Sequence, residues 1–232
     1  MIRCVPAMRG TLLWTFHLVF RTPESEARAL LPEGIEPLTA AGWAFYNVAI
    51  SEFSAVRADA NPLKIGRHGH ILAYRLYARA KNSDTVGLYG LQTECDVPAL
   101  LEKASGLSGT PVLLCQVEVY DDTHGTVQID VEESDSPLKV ILDTRGKPML
   151  SENSPFPGLS EAGVFLRPPA FIINAEGQAV NIGRQVKSWE SRLVRLPQQE
   201  WSFFDGKTVT FELCFDVPTL EYRWPEGYAL AP

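Results

Sequence analysis

The sequence predicts a mainly β protein, a β-rich α+β chain whose strands close as an antiparallel barrel or sandwich. Three observations carry that reading. Apolar residues recur with a period of two, the strand period, through most of the chain. The strand-like runs are separated by short turns containing Asn, Asp and Gly. Only two short stretches carry the signals of a helix. No composition shift, repeat or low-complexity tract divides the 232 residues, so residues 1–232 are expected to form a single domain.

Taken in order, the first strand is a ladder of Leu12, Trp14, Phe16, Leu18 and Phe20. A short helix follows over Thr22–Leu31, with Thr22 as cap, Pro23 at the first helical position, Glu24 and Glu26 at the positive helix start, and Pro32 limiting the end. The aromatic and β-branched run Trp43–Ile50 is the next strand, bounded by Gly42 and Ser51. Strands are then expected at Ile71–Arg79, Val86–Cys95, Pro111–Tyr120, Thr126–Val131, Leu138–Leu142, Gly163–Ile173, Ala179–Trp189 and Thr208–Val217. Between them lie the turn signals Lys81-Asn82-Ser83-Asp84, Asp121-Asp122-Thr123-His124-Gly125, Asn174-Ala175-Glu176-Gly177 and Asp205-Gly206. A second helix is expected over Val97–Gly106, capped by Asp96 and stopped by Gly106. Pro148, Pro155 and Pro157, with Gly146, Asn153 and Gly158, make Thr144–Ser160 a long loop.

Composition sets the function classes aside one by one. A net charge of −7 with no run of Lys or Arg argues against nucleic acid as a partner. No apolar stretch reaches the roughly 18–20 residues of a membrane helix. The longest early candidate, Thr11–Phe20, is broken by His17 and lacks a signal-peptide cleavage site, so a cytoplasmic protein is expected. Cys4, Cys95, Cys115 and Cys214 stand far apart with no CxxC pair, which fits buried thiols in a reducing compartment. There is no phosphate loop, dinucleotide fingerprint or G-x-S-x-G elbow, and no cofactor is expected. His68 and His70 flank Gly69 at a spacing met in metal sites, but a third ligand is missing; the reading is two solvent-facing loop histidines and no metal.

The order of elements carries a resemblance. Phe20-Arg21-Thr22, a short helix, Leu31-Pro32-Glu33-Gly34-Ile35-Glu36 and the strand Trp43–Ile50 resemble the opening of the acetoacetate decarboxylase family. Gly87–Asp96, the following helix and Gly109-Thr110-Pro111 resemble its central strand and glycine–proline turn. Leu166-Arg167-Pro168-Pro169-Ala170-Phe171-Ile172-Ile173 resembles its arginine–proline strand. The resemblance implies a cone-like antiparallel β-barrel with two or three short helices, a closed internal pocket and assembly into homo-oligomers.

The family's chemistry does not follow the resemblance. Its Schiff-base lysine and the lysine after it fall at Val112 and Leu113, its two active-site glutamates at about Tyr46 and Leu72, and its arginine at about Leu13. A lysine nucleophile needs a partly neutral amine, and valine supplies none. The remaining lysines, Lys64, Lys81, Lys103, Lys139, Lys147, Lys187 and Lys207, include no adjacent pair and read as solvated.

Arg75 is then the leading ligand-binding candidate. The Arg-x-Tyr pattern in Ala73-Tyr74-Arg75-Leu76-Tyr77-Ala78-Arg79 resembles that of decarboxylase-like proteins lacking the lysine. Facing a pocket, its guanidinium would fork a carboxylate; facing outward, it is an edge or oligomer contact. Tyr46, Leu72, Tyr89 and Val112 are the expected lining of the internal pocket, and a small organic acid or similar metabolite bound without covalent chemistry is the expected ligand. The alternative is a lyase or hydrolase acting on a keto-acid-like substrate, with Glu94, Glu118 or Tyr46 as acid–base group and Arg75 as electrostatic stabiliser. A barrel kept for assembly alone is the third reading.

Overall fold

The computed structural model describes residues 2–5, 8–58, 66–80, 84–101, 112–169, 171–174, 179–181, 191–224 and 227–230, the short terminal strands, 179–181 and 222–224 by backbone only. The first strand pair, β1 (Ile2–Val5) with β17 (Gly227–Leu230), is antiparallel and stands apart from the main sheet. The main sheet runs through the rest of the described chain. Its central strands are β2 (Met8–Pro23), β5 (Trp43–Ala58), β6 (Arg67–Ala80) and β7 (Val86–Cys95). Short β3 (Ile35–Pro37) and β4 (Thr39–Ala40) pair with β6 and β5. The second half supplies β8 (Val112–Leu114), β9 (Gln116–Asp121), β10 (Thr126–Glu132), β11 (Leu138–Asp143), β12 (Phe171–Ile173), β13 (Ala179–Asn181), β14 (Arg192–Trp201), β15 (Thr210–Val217) and β16 (Leu220–Trp224).

Strand order along the sheet is β13-β12-β7-β6-β5-β2-β15-β14-β11-β10-β9. Pairing is antiparallel except where β12 and β8 meet β7. The sheet curls until one face of β2, β5 and β6 packs on β10, β11 and β14. Phe16, Leu18, Phe20, Tyr46, Val48, Ile50, Leu72, Tyr74 and Leu76 thereby share a core with Ile129, Val131, Val140, Leu142 and Val194. This is the inner face. The other face is outer, and one end of it buries Val19, Phe45, Tyr77, Leu88, Leu213 and Phe215 beneath helix α2 (Leu159–Phe165) through Ala162 and Leu166.

The mainly β barrel expected from the period-two pattern is what the chain forms. Several boundaries differ. The first two strands extend to Met8–Pro23 and Trp43–Ala58, past the apolar runs that revealed them. Helix α1 is Glu24–Leu30; Thr22 closes β2 instead of capping, and its hydroxyl lies 3.4 Å from Glu26 Oε2. Asp96 does not cap either, because it is drawn to His70, and only the turn Pro98–Leu100 and Leu101 of the expected second helix are described. Residues 163–165 belong to α2 and not to a strand; the helix packs on the sheet through the small, fully buried Ala162. β14 escaped the sequence reading because its polar run Arg195-Leu196-Pro197-Gln198-Gln199-Glu200 hides the alternation. Residues 182–189 of the expected 179–189 strand, and the Gly109-Thr110-Pro111 turn, lie outside the described residues.

Candidate functional site

Side chains alternate along each strand, so register decides which face each residue serves. Val112 pairs with Thr93, Thr93 with Ala73, Ala73 with Ala49, Ala49 with His17, and His17 with Phe215. Directly opposed residues share a face, so this whole row lies on the outer side. The neighbouring row is Val19, Asn47, Arg75 and Gly90, and the row beyond is Thr15, Ser51, Ile71 and Cys95.

The centre of this outer face is unusual for a β-sheet surface. Ala49 and Ala73 form a floor of two methyl groups, both nearly inaccessible at 4% and 2% exposure. Around them stand the polar residues Thr15, His17, Asn47, Ser51 and Thr93, all buried, with half-buried Arg75 beside Asn47. These alanines are the shortest side chains of the patch.

Hydrogen bonds orient the polar wall. Asn47 Nδ2 donates to Tyr77 Oη at 3.2 Å, and Tyr77 in turn donates to the Leu166 carbonyl. Asn47 Oδ1 is therefore the acceptor for His17 Nδ1, 3.2 Å away. That arrangement holds His17 as the Nδ1–H tautomer and puts its lone pair on Nε2. Thr15 donates to Ser51 Oγ at 2.8 Å.

The sequence-predicted site residues divide between the two faces. Arg75 and Val112 lie on the outer face, Val112 packed with Phe53, Val56, Cys95 and Leu100. Tyr46 and Leu72 point inward into the core, so they do not join Arg75 and Val112. Their chain neighbours Asn47 and Ala73 hold the outer positions. Tyr46 Oη is buried without a hydrogen-bond partner among the described residues, its ring meets the edges of Phe203 and Phe204 at 6.2 and 5.2 Å, and burial, aided by Glu26, pushes its hydroxyl up to about 12. Tyr89 opposes Leu76 and is half-buried against the cluster of Ile35, Ala78 and Ile173.

Glu94 is also inward, fully buried opposite Leu72. It accepts hydrogen bonds from Ser134 Oγ and from Gln92 Nε2 at 2.5 Å, yet burial outweighs them and raises its carboxyl above the usual range. Glu118 is exposed on β9, where Tyr120 Oη donates to it at 2.5 Å. Of the lysines, Lys139 pairs with Asp130 at 3.7 Å, Lys147 is exposed, and Lys207 donates to the Phe203 carbonyl. Lys64, Lys81, Lys103 and Lys187 lie outside the described residues.

The sequence reading missed His17, Asn47 and the alanine floor. The signal was present as polar residues at odd positions inside apolar strands, His17 in the first and Asn47 in the second.

Solved structures with this architecture cluster in one place. An acetoacetate decarboxylase from Legionella pneumophila subsp. pneumophila str. Philadelphia 1 superposes with a TM-score of 0.62 at 11% identity, covering 96% of this chain and 87% of that one. The fold is that of acetoacetate decarboxylase. An acetoacetate decarboxylase-like enzyme from Sphingomonas wittichii RW1 superposes at 0.58 with 11% identity, over 98% of this chain and 94% of that one. The enduracididine biosynthesis enzyme MppR, complexed with pyruvate, superposes at 0.57 with 13% identity, over 97% and 90%. By sequence, the chain matches no protein-family model and no curated protein.

Proposed function

We propose that this acetoacetate decarboxylase-like chain binds a small organic acid non-covalently over the alanine floor of the outer face, with Arg75 taking the carboxylate. The observation that carries the reading is the buried polar wall of Thr15, His17, Asn47, Ser51 and Thr93 around Ala49 and Ala73. Polar groups are kept inside a protein only when they are hydrogen-bonded or serve a ligand, and a sheet face meant only for packing would be apolar. Arginine's planar fork suits a carboxylate beside such a polar wall. The pyruvate in the MppR complex gives the size of acid to try first. Valine at position 112 removes the amine that Schiff-base chemistry would use there.

The test is thermal unfolding with pyruvate and acetoacetate, alongside intact-mass analysis after borohydride. Saturable stabilisation that disappears in Arg75→Gln, with no lysine adduct, is the expected result. A mapped lysine adduct would overturn the non-covalent reading, and no stabilisation by either acid would overturn the ligand class.

A catalytic reading has one specific observation behind it, the fixed tautomer of His17. An imidazole whose Nδ1–H is held by an acceptor is suited to act as a general base through Nε2. In a lyase or hydrolase of keto-acid-like substrates, His17 replaces Glu94, Glu118 and Tyr46 as acid–base candidate, and Arg75 stabilises the charge. His17→Gln would then lower turnover far more than it weakens pyruvate binding. We take residues 1–232 as a single domain working as a cytoplasmic homo-oligomer, which sedimentation of the purified chain tests.

A further inference from the structure

A second constellation crosses the inner face at the far end of the same strands. Trp14 on β2, Glu52 on β5 and His70 on β6 are directly opposed in register, and Asp96 follows at the end of β7, its N–H donating to the His70 carbonyl at 3.3 Å. Adjacent strands are about 4.8 Å apart, so the four side chains form one continuous row.

Asp96 grips His70 at two points. Its Oδ1 accepts the His70 backbone N–H at 2.6 Å and its Oδ2 accepts Nδ1–H at 2.7 Å. Gly69 permits this approach: a Cβ there would lie 2.4 Å from Asp96 Oδ1 and 2.2 Å from Val97 Cγ2. With Nδ1 committed as donor, the His70 lone pair is on Nε2. Glu52 Oε1 is engaged by His68 Nε2 at 3.2 Å, and the His68 side chain is 60% exposed. Glu52 Oε2 and His70 Nε2 have no partner among the described residues. The Trp14 ring lies 5.9 Å from that of His70, tilted by 39°.

What the row holds is a set of electron-rich groups: a carboxylate oxygen, the imidazole Nε2 and an indole ring packed beside Phe16 and His70 at 5.3 and 5.9 Å. The complementary partner is a small cation with N–H donors. We propose that the Trp14–Glu52–His70–Asp96 row binds a small organic ammonium ion, a primary amine in its protonated form. Its N–H groups go to Glu52 and His70, and its charge lies against Trp14. A metal ion fits less well, because no three His, Cys, Asp or Glu side chains converge as ligands among the described residues. An ammonium accepts the looser hydrogen-bond shell of about 3 Å that a metal at about 2.1 Å does not. This site lies on the opposite side of the sheet from the alanine floor and does not depend on it.

The test titrates the full chain with benzylamine and with benzyl alcohol, its uncharged isostere, by calorimetry. Saturable benzylamine binding at least ten-fold tighter than the alcohol is expected, weakened ten-fold or more in Glu52→Gln and unchanged in the exposed control Glu161→Gln. Trp14→Phe, which keeps a ring in the core, is expected to weaken benzylamine a few-fold and guards against a folding defect in larger changes. Equal binding of amine and alcohol, wild-type affinity in Glu52→Gln, or no saturable binding would each overturn the proposal.

Discussion

His17 and Asn47 sit on adjacent strands with Nδ1 and Oδ1 3.2 Å apart, and that contact is one link in a chain of donors that ends on the Leu166 carbonyl. Every polar atom along the line is spoken for by the next. Asn47→Leu removes the middle link and takes one hydrogen bond each from the buried His17 and Tyr77. A loss of about 1–3 kcal/mol is expected in urea unfolding. Nitrogen-detected NMR should show His17 as a mixture of tautomers in the variant and as Nδ1–H in the parent.

Burial raises Glu94 above the usual carboxylate range. The folded state then holds the proton more tightly than the unfolded chain does, so this residue's stabilising contribution is complete at acid pH, below the unfolded value. It is lost as the pH rises through the folded value. Glu94→Gln keeps acceptors and donors for Gln92 and Ser134 but carries no charge. The variant should match the wild type in melting temperature near pH 4, below the unfolded value, and exceed it at alkaline pH, above the folded value.

Arg21 and Glu212 form an ion pair with side chains only 6% and 0% exposed, supported by Ser151, whose hydroxyl donates to Glu212 Oε1 at 2.9 Å. Removing one member leaves an uncompensated charge inside. Glu212→Ala is expected to cost about 3–5 kcal/mol in denaturant unfolding, and the double change Arg21→Met with Glu212→Leu to cost less than that single one.

Gly69→Ala places a methyl group against Asp96 and Val97. The clash should cost about 1–3 kcal/mol and push Asp96 off the imidazole. The readout is the His70 ring, whose nitrogen shifts should move from a fixed Nδ1–H form to a tautomer mixture.

Cys95, Cys115 and Cys214 are free and buried, and burial pushes all three thiols up, Cys95 to about 11. Reaction needs the thiolate. At pH 8 these three should resist a thiol reagent in the native protein and react at once in denaturant, as peptide mapping would show.

The sequence made the architecture legible because the strand period survives unbroken in Trp14–Phe20 and Trp43–Ile50, the long central strands. Which face of the sheet each candidate residue serves was not legible. Tyr46 and Leu72 were aligned with functional positions, but a shift of one position in a strand moves a side chain through the sheet, and Asn47 and Ala73 are the residues on Val112's side. The bulge in β7 between the partners of Tyr74 and Arg75 compounds this, since counting by twos from Glu94 does not return the face of Tyr89. The His70–Asp96 pair was obscured for a different reason: Asp96 before Pro98 carries a helix-start signal, and only the closeness permitted by Gly69 redirects it.

The order of strands has a consequence for synthesis. β2 is flanked by β5 on one side and by β15 and β16 on the other, so one of the earliest strands made waits for two of the last. Pairings this distant in the chain are slow to form, and a long strand with an open edge invites neighbours to add to it. A nascent chain stopped before residue 210 has every contact of β2 with β5 but nothing on its other edge. Such fragments should accumulate as aggregates, and a holdase that covers β2 during translation should raise the yield of the full-length protein.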